Sequence, residues 1–266
     1  MKIAVSDFDG TLYFHEQGLQ GSIPVENLEA VKKWREQGNI FCFCSGRDMR
    51  SLMDEVHRYD FAYDYVLCNN GATIFDENLN LIKEFSLSKT ALTKVLHSDI
   101  AKKSWHLLFS ASDKMSVVIQ HQESPILTYF QSPKYKNQNI IKETTIQEAL
   151  NEVNTVQLSC EYDDDNSAKK VLEQIKMQYA GIFSAHRNMN YLDICSYNVS
   201  KANGIKELLQ IKNWQNNEVL TIGDSQNDIP MLRAYKGFSL YSATDEAKSS
   251  AQKLYNSVAE MLLDNL

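Results

Sequence analysis

Residues 1–12 read Met1-Lys-Ile-Ala-Val-Ser-Asp-Phe-Asp-Gly-Thr-Leu12, an apolar strand that leads directly into Asp7 and Asp9. Side chains two residues apart on an extended backbone share one face, so the two carboxylates converge where the strand ends. Keeping both ionised requires a cation or a shared proton, and Gly10 permits a sharp turn directly after them. The pattern predicts a hard-metal site that contains a potential nucleophile. Taken alone, the stretch fits a strand end with solvated turn aspartates equally well.

Strands and helices alternate through the first third of the chain around this stretch. Each strand is apolar on both faces, which is typical of a parallel sheet covered by helices on both sides. The predicted fold class is therefore α/β, with a doubly wound, Rossmann-like parallel sheet. In order, we expect the strand Ile3 to Val5, the helix Pro24 to Gln37, the strand Ile40 to Cys44, the helix Asp48 to Tyr59, the strand Tyr65 to Cys68 and a hairpin within residues 71–85.

The pattern changes between about Leu87 and Arg187, where strands paired in sequence lie beside segregated helices. Such a texture predicts an α+β module inserted into the α/β domain. We expect a core domain formed by residues 1–85 and 188–266 and an inserted domain formed by residues 86–187. The inserted elements expected are a helix at Lys89 to Ala101, strands at Trp105 to Ser110 and Met115 to Gln120, a loop at Ser132 to Lys142, a helix within Thr145 to Val153, a strand at Val156 to Tyr162 and a helix at Ser167 to Ala180.

The α/β pattern resumes in the last third of the chain. Its strands and helices are expected to complete the core sheet. They are the strand Tyr191 to Cys195, the helix Lys201 to Leu209, the strand Val219 to Ile222, the helix Asp228 to Tyr235, a final strand Phe238 to Tyr241 and one or two closing helices within Asp245 to Leu263.

Polar and charged side chains follow several of the predicted parallel strands. The carboxyl ends of such strands point into one crevice, where ligands usually bind. Each group has a simpler explanation as a helix cap, a turn residue or a solvated surface charge, but those explanations leave the coincidence of position unexplained. Carboxylates suit Mg²⁺, while a hydroxyl and an ammonium can hold phosphate oxygens. The groups are Asp7 and Asp9, Ser45-Gly46-Arg47, Asn69-Asn70-Gly71, Lys201, and Gly223-Asp224-Ser225-Gln226-Asn227-Asp228.

Composition narrows the classes of partner. The 266 residues are 43% hydrophobic and 23% charged with a net charge of −7, so neither a nucleic-acid partner nor an anionic membrane surface is expected. No run approaches the roughly 20 apolar residues that span a bilayer. Cysteines stand at positions 42, 44, 68, 160 and 195, without zinc-type spacing, which favours buried free thiols and a cytoplasmic location.

Four sequence elements, in this order, resemble those of the haloacid dehalogenase (HAD) superfamily of phosphotransferases over nearly the whole chain. They are Asp7-Phe-Asp9-Gly10-Thr11-Leu12, Ser45-Gly46-Arg47, Lys201 and Gly223-Asp224-Ser225-Gln226-Asn227-Asp228. An insertion between the serine and lysine elements is similar to the Cof-type subgroup, subclass IIB, whose α+β cap covers the crevice and selects the substrate. Asn69-Asn70-Gly71-Ala72 is similar to that subgroup as well.

The resemblance implies a role for each matching residue. Asp7 would be the nucleophile and a Mg²⁺ ligand, and Asp9 the general acid/base whose backbone carbonyl also binds the metal. Asp224 would ligate Mg²⁺, with Asp228 in support directly or through water. The implied phosphate-binding residues are Thr11, Ser45, Lys201 and Asn227, with Thr11 orienting Asp9 or the phosphoryl group. The implied substrate contacts are Gly46, Arg47 and Asn70.

Two departures from the subgroup pattern stand out. The subgroup has Ser-Lys-Gly where this chain has Ser200-Lys201-Ala202, which changes the approach at the turn. It commonly shows Gly-Asn-Ala where this chain reads Tyr241-Ser242-Ala243-Thr244. An asparagine contact near the site is therefore expected to be missing or altered.

The function implied is that of a Mg²⁺-dependent phosphatase that hydrolyses small phosphomonoesters through an aspartyl-phosphate on Asp7. A sugar phosphate, flavin mononucleotide or pyridoxal phosphate would suit the subgroup, and the partner would be a small phosphorylated metabolite. One alternative is a related phosphotransferase, such as a phosphohexomutase or a disaccharide-phosphate phosphatase. Another is a non-catalytic protein that binds phosphorylated ligands, which the complete set of acids disfavours.

Overall fold

The computed structural model describes residues 1–15, 21–131 and 141–266, which divide into two compact units. The core unit comprises Met1–Arg47, Leu52–Lys83 and Ser200–Leu266, and the inserted unit comprises Asp48–Ser51 and Glu84–Val199. One long insertion between two parts of the core unit therefore supplies nearly all of the second unit.

The core unit is built on a sheet of eight strands within the described ranges, in the order β14-β13-β12-β1-β2-β3-β4-β5. The first six of these pair in parallel, and β3 pairs antiparallel with β4. The strands are β1 (Lys2–Ser6), β2 (Ile40–Cys44), β3 (Tyr65–Cys68), β4 (Thr73–Asp76), β5 (Leu81–Glu84), β12 (Glu218–Gly223), β13 (Lys236–Leu240) and β14 (Lys253–Tyr255). The predicted α/β class and the hairpin of β4 and β5 are confirmed.

Helices cover this sheet, and both faces of its central strands are buried. Ile3, Val5 and Cys42 share an apolar cluster with Ile205 and Leu208 of the helix that starts at Lys201. The core helices are α1 (Val25–Glu36), α2 (Met49–Val56), α8 (Lys201–Ile211), α9 (Ile229–Ala234), α10 (Asp245–Ser250) and α11 (Val258–Asp264). In the part of the chain that the structure describes, every helix is too short or too polar to cross a bilayer.

The inserted unit has its own six-stranded sheet in the described residues, in the order β10-β11-β9-β6-β7-β8. Its apolar face, which includes Leu107, Phe109 and Leu158, packs against helices of this unit. The strands are β6 (His106–Ser110), β7 (Met115–Ile119), β8 (Ile141–Glu143), β9 (Gln157–Glu161), β10 (Phe183–Asn188) and β11 (Tyr191–Ser196). The helices are α3 (Lys89–Leu96), α4 (Asp99–Lys102), α5 (Ile126–Gln131), α6 (Ile146–Glu152) and α7 (Asp165–Gln178).

The strand β11 corrects the expected boundary of the insertion. Its residues pair antiparallel with both β9 and β10, so β11 belongs to the inserted sheet and the chain returns to the core unit at Ser200. The boundary expected at residue 188 is therefore wrong. An apolar strand has the same local pattern whichever sheet it joins, and only its pairing partners decide its membership.

Other elements differ from expectation as well: no sequence prediction covers β10 or α5, and three further segments differ from the predicted ones. The helix expected over residues 89–101 is interrupted at Ser98, whose hydroxyl accepts from the Ile100 N–H at 3.3 Å and caps a new helix. The strand expected to be final, β13, is followed by β14, which lies between the two closing helices. In the expected loop Ser132 to Lys142, residues 132–140 lie outside the described residues, and β8 begins at Ile141.

Candidate active site

The central strands of the core sheet bring the predicted residues to one edge. The strands β12, β1 and β2 are parallel neighbours, so their carboxyl ends lie side by side. Asp7 follows β1, Ser45 follows β2 and Asp224 follows β12. Lys201 is the first residue of α8, whose start is capped by Ser200. The sheet and one helix start therefore place all four sequence elements together.

Three carboxylates form a compact acidic cluster at this edge. Asp7, Asp224 and Asp228 each offer an oxygen, and the three oxygens all lie within 4.8 Å of one another. Asp7 and Asp228 are buried, and Asp224 is half-buried. Hard oxygen ligands held this close suit Mg²⁺. The donor set therefore fits the metal that the resemblance implies.

Lys201 supplies positive charge to this cluster. Its Nζ donates to Asp7 Oδ1 at 2.6 Å and to Asp228 Oδ1 at 2.5 Å. Burial opposes the charge on Lys201, but Asp228 and Asp7 outweigh it and hold the pKa of the ammonium above its ordinary value. Burial, followed by repulsion from Asp228, raises the pKa of Asp7 well above its ordinary value despite this contact. One ammonium thus faces three carboxylates, and a divalent cation would relieve the remaining repulsion.

Thr11 lies between two carboxylates of the cluster. Its Oγ1 is 3.0 Å from Asp224 Oδ1 and 3.3 Å from Asp7 Oδ2. A hydroxyl has one proton, so it donates to one carboxylate at a time, and the shorter contact favours Asp224. Gly10 makes this approach possible: its φ is +77°, and a Cβ there would lie 2.5 Å from Asp224 Oδ2. The turn after β1 is therefore shaped to fit against Asp224.

Asp9 lies outside the acidic cluster and carries a separate set of contacts. Arg47 donates to its two oxygens at 2.7 and 2.5 Å, and His15 Nε2 lies 3.0 Å from Oδ1. Burial raises the pKa of Asp9, but the bonds to His15 and Arg47 outweigh it and lower the pKa to about 2. The Arg47 guanidinium also lies 5.3 Å from the ring centre of Phe8. Asp9 is therefore held as a carboxylate in this arrangement.

The Ser45 loop is fixed by a strained turn after β3. Asn69 and Asn70 have φ values of +53° and +56°, a left-handed conformation that asparagine tolerates better than most residues. Their backbone N–H groups donate to Arg47 O at 2.8 Å and Ser45 O at 2.9 Å. Ser45 Oγ in turn accepts from the Arg47 N–H at 3.1 Å. Two consecutive strained residues thus hold both ends of the Ser45–Arg47 loop.

The side chains of Asn70 and Asn227 join the loops after β3 and β12. Asn227 Nδ2 donates to Asn70 Oδ1 at 3.0 Å, and Asn227 Oδ1 accepts from Ser225 Oγ at 2.7 Å. A Cβ on Gly46 would lie 3.5 Å from the Asn70 amide and 3.6 Å from Asn227. The asparagines predicted to contact ligand therefore bond to each other, beside the space at Gly46.

Asp228 organises the loop that carries Asp224. Its Oδ2 accepts from the backbone N–H groups of Asp224 at 3.1 Å and Ser225 at 3.0 Å, while its Oδ1 accepts from Lys201. The carbonyl of Asp224 accepts from the N–H of Thr244 at 2.9 Å and from its hydroxyl at 3.1 Å. Asp228 thus serves both the loop and the ammonium.

Three residues at this site have no assigned role among the sequence predictions: His15, Ser225 and Thr244. His15 stands four residues after the Asp-Gly-Thr turn without a motif of its own. Ser225 lies inside the last motif, where its position before Asp228 is typical of a capping box, and that signal could have found it. Thr244 precedes a helix, so the sequence could have indicated a cap but not the contact with Asp224.

Comparisons with known proteins match nearly the whole chain. The sequence model of a family described as haloacid dehalogenase-like hydrolase matches residues 4–261. The Bacillus subtilis protein YcsE, named 5-amino-6-(5-phospho-D-ribitylamino)uracil phosphatase, is 21% identical over 94% of this chain and 88% of its own length. The protein YwtE, from the same organism and named for the same phosphatase activity, is 23% identical over 94% of this chain and 91% of its own length.

Solved structures show the same fold. A haloacid dehalogenase-like hydrolase from B. subtilis superimposes with a TM-score of 0.84 at 19% identity, covering 100% of both chains. A sugar phosphatase of HAD subclass IIB superimposes with a TM-score of 0.78 at 21% identity, covering 100% of this chain and 99% of the other. At these identities the likeness establishes the fold, an α/β core with an inserted domain.

Proposed function

Because the chain belongs to the haloacid dehalogenase-like hydrolases, and to their Cof-type subgroup, we propose that it is a Mg²⁺-dependent phosphatase of small phosphomonoesters. The observation that carries the proposal is the buried Asp7 carboxylate, which lies within 4.8 Å of two further carboxylates and 2.6 Å from a buried ammonium. A nucleophile, a metal-binding acid cluster and a phosphate-binding cation therefore meet at the end of one strand.

The proposed metal ligands are Asp7, Asp224 and Asp228, with the backbone carbonyl of Asp9. The structure supports this set through the short distances within the acidic cluster and the raised pKa of Asp7 and of Asp224, which burial and the neighbouring carboxylates cause. When bound, Mg²⁺ would neutralise phosphate charge beside the cluster.

In the first proposed step, a carboxylate oxygen of Asp7 attacks the phosphorus of the substrate. A bond forms between Asp7 and phosphorus, the bond to the ester oxygen breaks, and the departing alcohol takes a proton from Asp9. In the second step a water attacks the phosphorus of the aspartyl-phosphate. Asp9 takes a proton from that water, and Asp7 is released together with inorganic phosphate.

The contacts of Asp9 favour one of these two steps over the other. A carboxylate held by Arg47 and His15 is ready to accept a proton, so this arrangement suits the hydrolytic step. For Asp9 to protonate the leaving group, it must first separate from Arg47. We therefore propose that Arg47 releases Asp9 and contacts the substrate instead when the substrate binds.

The remaining polar groups would hold the phosphate. Ser45, which follows β2, offers a hydroxyl, and Lys201, which begins α8, offers an ammonium. Both groups can bind phosphate oxygens. Thr11 supports the carboxylates it contacts, and Asn227 would meet phosphate beside the space at Gly46. The side-chain amide of Asn70, which is bonded to that of Asn227, would contact the substrate.

The proposed substrate is a phosphate ester of a small polyhydroxylated metabolite. YcsE and YwtE are named for a phosphoribityl compound, and the subclass IIB structure is that of a sugar phosphatase, so phosphorylated carbon chains bearing hydroxyls are common to these relatives. We further propose that the inserted unit selects among such substrates, as the resemblance to the subgroup implies.

The test is hydrolysis of p-nitrophenyl phosphate and of a panel of sugar and polyol phosphates, with and without Mg²⁺. Asp7→Asn should abolish turnover, because an amide is a far weaker nucleophile than a carboxylate. Asp60→Asn, which alters an exposed aspartate of the same unit, should leave the rate unchanged. Full activity in Asp7→Asn, or activity that persists in a chelator, would exclude the mechanism. Binding of the panel without turnover would instead favour a non-catalytic role.

A further inference from the structure

The segment Tyr241–Thr244, where the sequence departs from the Cof-type pattern, lies between β13 and α10. Its last residue makes two hydrogen bonds to one atom: the N–H and the hydroxyl of Thr244 donate to the carbonyl oxygen of Asp224 at 2.9 and 3.1 Å. From this geometry we infer that Thr244 is a positioning residue of the metal site, which acts by fixing the backbone of Asp224. The inference rests on the proposed function, because it takes Asp224 as a Mg²⁺ ligand.

Two further polar atoms of Asp224 are held as well. Its N–H donates to Asp228 Oδ2 at 3.1 Å, and its Oδ1 accepts from Thr11 at 3.0 Å. Thr244 holds the carbonyl, which sets the orientation of the peptide plane directly after Asp224. A metal ligand whose side chain and both flanking peptide groups are bonded loses little freedom when the metal binds, which is how residues around a metal site raise its affinity.

The hydroxyl of Thr244 has a second contact that ties Asp224 to a helix. While it donates to Asp224 O, its oxygen accepts from the Ala247 N–H at 3.4 Å and so caps α10. A hydroxyl has one proton and two lone pairs, so both contacts exist together. The start of α10 therefore supports Asp224 through a single side chain. Serine can make the same pair of contacts, whereas valine, of similar shape, can make neither.

A helix cap alone would also explain a threonine at this position, and the chain contains a matched residue that separates the two roles. Thr145 caps α6 by accepting from the Glu148 N–H at 3.2 Å. It belongs to the inserted unit, whereas Asp224 belongs to the core unit. Thr145→Val therefore removes a threonine cap of the same kind and leaves the metal site untouched.

The experiment measures Mg²⁺ binding by isothermal titration calorimetry in the wild-type chain, Thr244→Val, Thr244→Ser and Thr145→Val. The Mg²⁺ dependence of p-nitrophenyl phosphate hydrolysis and the melting temperature are recorded for each. We expect Thr244→Val to raise the Kd for Mg²⁺ about tenfold, the low end for a residue that supports a metal ligand, because the backbone bond from residue 244 remains. Its kcat at saturating Mg²⁺ should stay within about twofold, since Thr244 touches no reacting atom.

Thr244→Ser should restore the wild-type Kd. Thr145→Val should lower the melting temperature and leave the Kd for Mg²⁺ unchanged. An unchanged Kd in Thr244→Val, with a melting temperature lowered as in Thr145→Val, would reduce Thr244 to a helix cap and overturn the inference while the proposed function stands. A Kd that Thr244→Ser fails to restore would also overturn it, because the hydroxyl would then not be the active group. If the wild-type chain binds no Mg²⁺, the metal site itself is refuted, and the role of Thr244 with it.

Discussion

Replacing Lys201 by methionine should destabilise the metal-free protein strongly. The side chain is 1% exposed, and its ammonium lies 2.6 Å from Asp7 and 2.5 Å from Asp228. Methionine fills much of the same volume but carries no charge, so three clustered carboxylates lose their cation. Removing one partner of a buried ion pair costs about 3–5 kcal/mol.

An independent estimate of this loss of stability gives a similar value. Without the ammonium, the cluster relieves its repulsion by taking up a proton, and the ordinary aspartate pKa is 3.8. Protonating such a group at neutral pH costs about 1.4 kcal/mol for each of roughly three pH units, or about 4 kcal/mol. The native variant then binds about one proton more than its unfolded chain, so its stability falls as pH rises. Because the pKa of Asp7 is raised in the wild type as well, the deficit relative to wild type should grow only over the range of pH in which the variant keeps a proton that the wild type releases, and there by at most about 1.4 kcal/mol per pH unit.

The assay is urea unfolding between pH 5 and 8 in the presence of a chelator, followed by circular dichroism. Lys236→Met is the matched control, because Lys236 pairs with Glu218 at 2.9 Å but is 40% exposed, and its loss should cost less than about 1 kcal/mol. Adding Asp7→Asn to Lys201→Met should recover part of the loss, since one carboxylate is then neutral. A Lys201→Met protein as stable as wild type at pH 7, or a deficit that does not change with pH, would refute the reasoning.

Four further predictions concern the rest of the chain. Burial lowers the pKa of His106 to about 4. Below about pH 6.5 the unfolded chain therefore binds a proton at this histidine, whereas the folded protein does so only near pH 4. Stability should therefore fall with acidification between these values. Relative to His106→Gln, the wild type should lose about 2 kcal/mol between pH 7 and pH 5 in urea unfolding, and parallel profiles would contradict this. Gly237→Ala places a Cβ against the Leu232 carbonyl, a backbone atom that cannot give way, and should prevent accumulation of folded protein. Gly38→Ala meets no atom within 4 Å and should cost only about 1 kcal/mol for its φ of +75°, as measured by thermal unfolding. The five cysteines are all buried, so they should resist iodoacetamide in the native protein and react after unfolding. Burial also raises the pKa of thiols such as Cys160, to about 12, which disfavours the reactive thiolate. An adduct found on the native protein by mass spectrometry would contradict this prediction.

The sequence predicted the position of Asp7, Ser45 and Asp224 because their placement follows from a local rule. Each comes directly after an apolar strand, and parallel strands end at the same edge of a sheet. The order of the motifs then indicated the family, which the comparisons confirm. For the same reason the strands Ile40–Cys44 and Tyr65–Cys68 begin and end where their apolar runs do.

Predictions failed where the answer depends on pairing between distant segments. The strand β11 has an apolar run that would suit either sheet, and its partners β9 and β10 decide that it belongs to the inserted unit. The short strands β8 and β14 carry too few residues for a period to be recognised, and the neighbouring strand in each sheet stabilises them.

The sequence by itself thus determined which acids, hydroxyl and ammonium the site contains and on which strands they lie. Only the tertiary structure decided how these groups are divided among partners. Lys201 reaches Asp7 across 194 residues, Arg47 and His15 hold Asp9 as a carboxylate, and Thr244 fixes the backbone of Asp224. Hydrogen bonds act over about 3 Å and carry no periodic signal along the chain, so they are settled only when folding brings distant segments together.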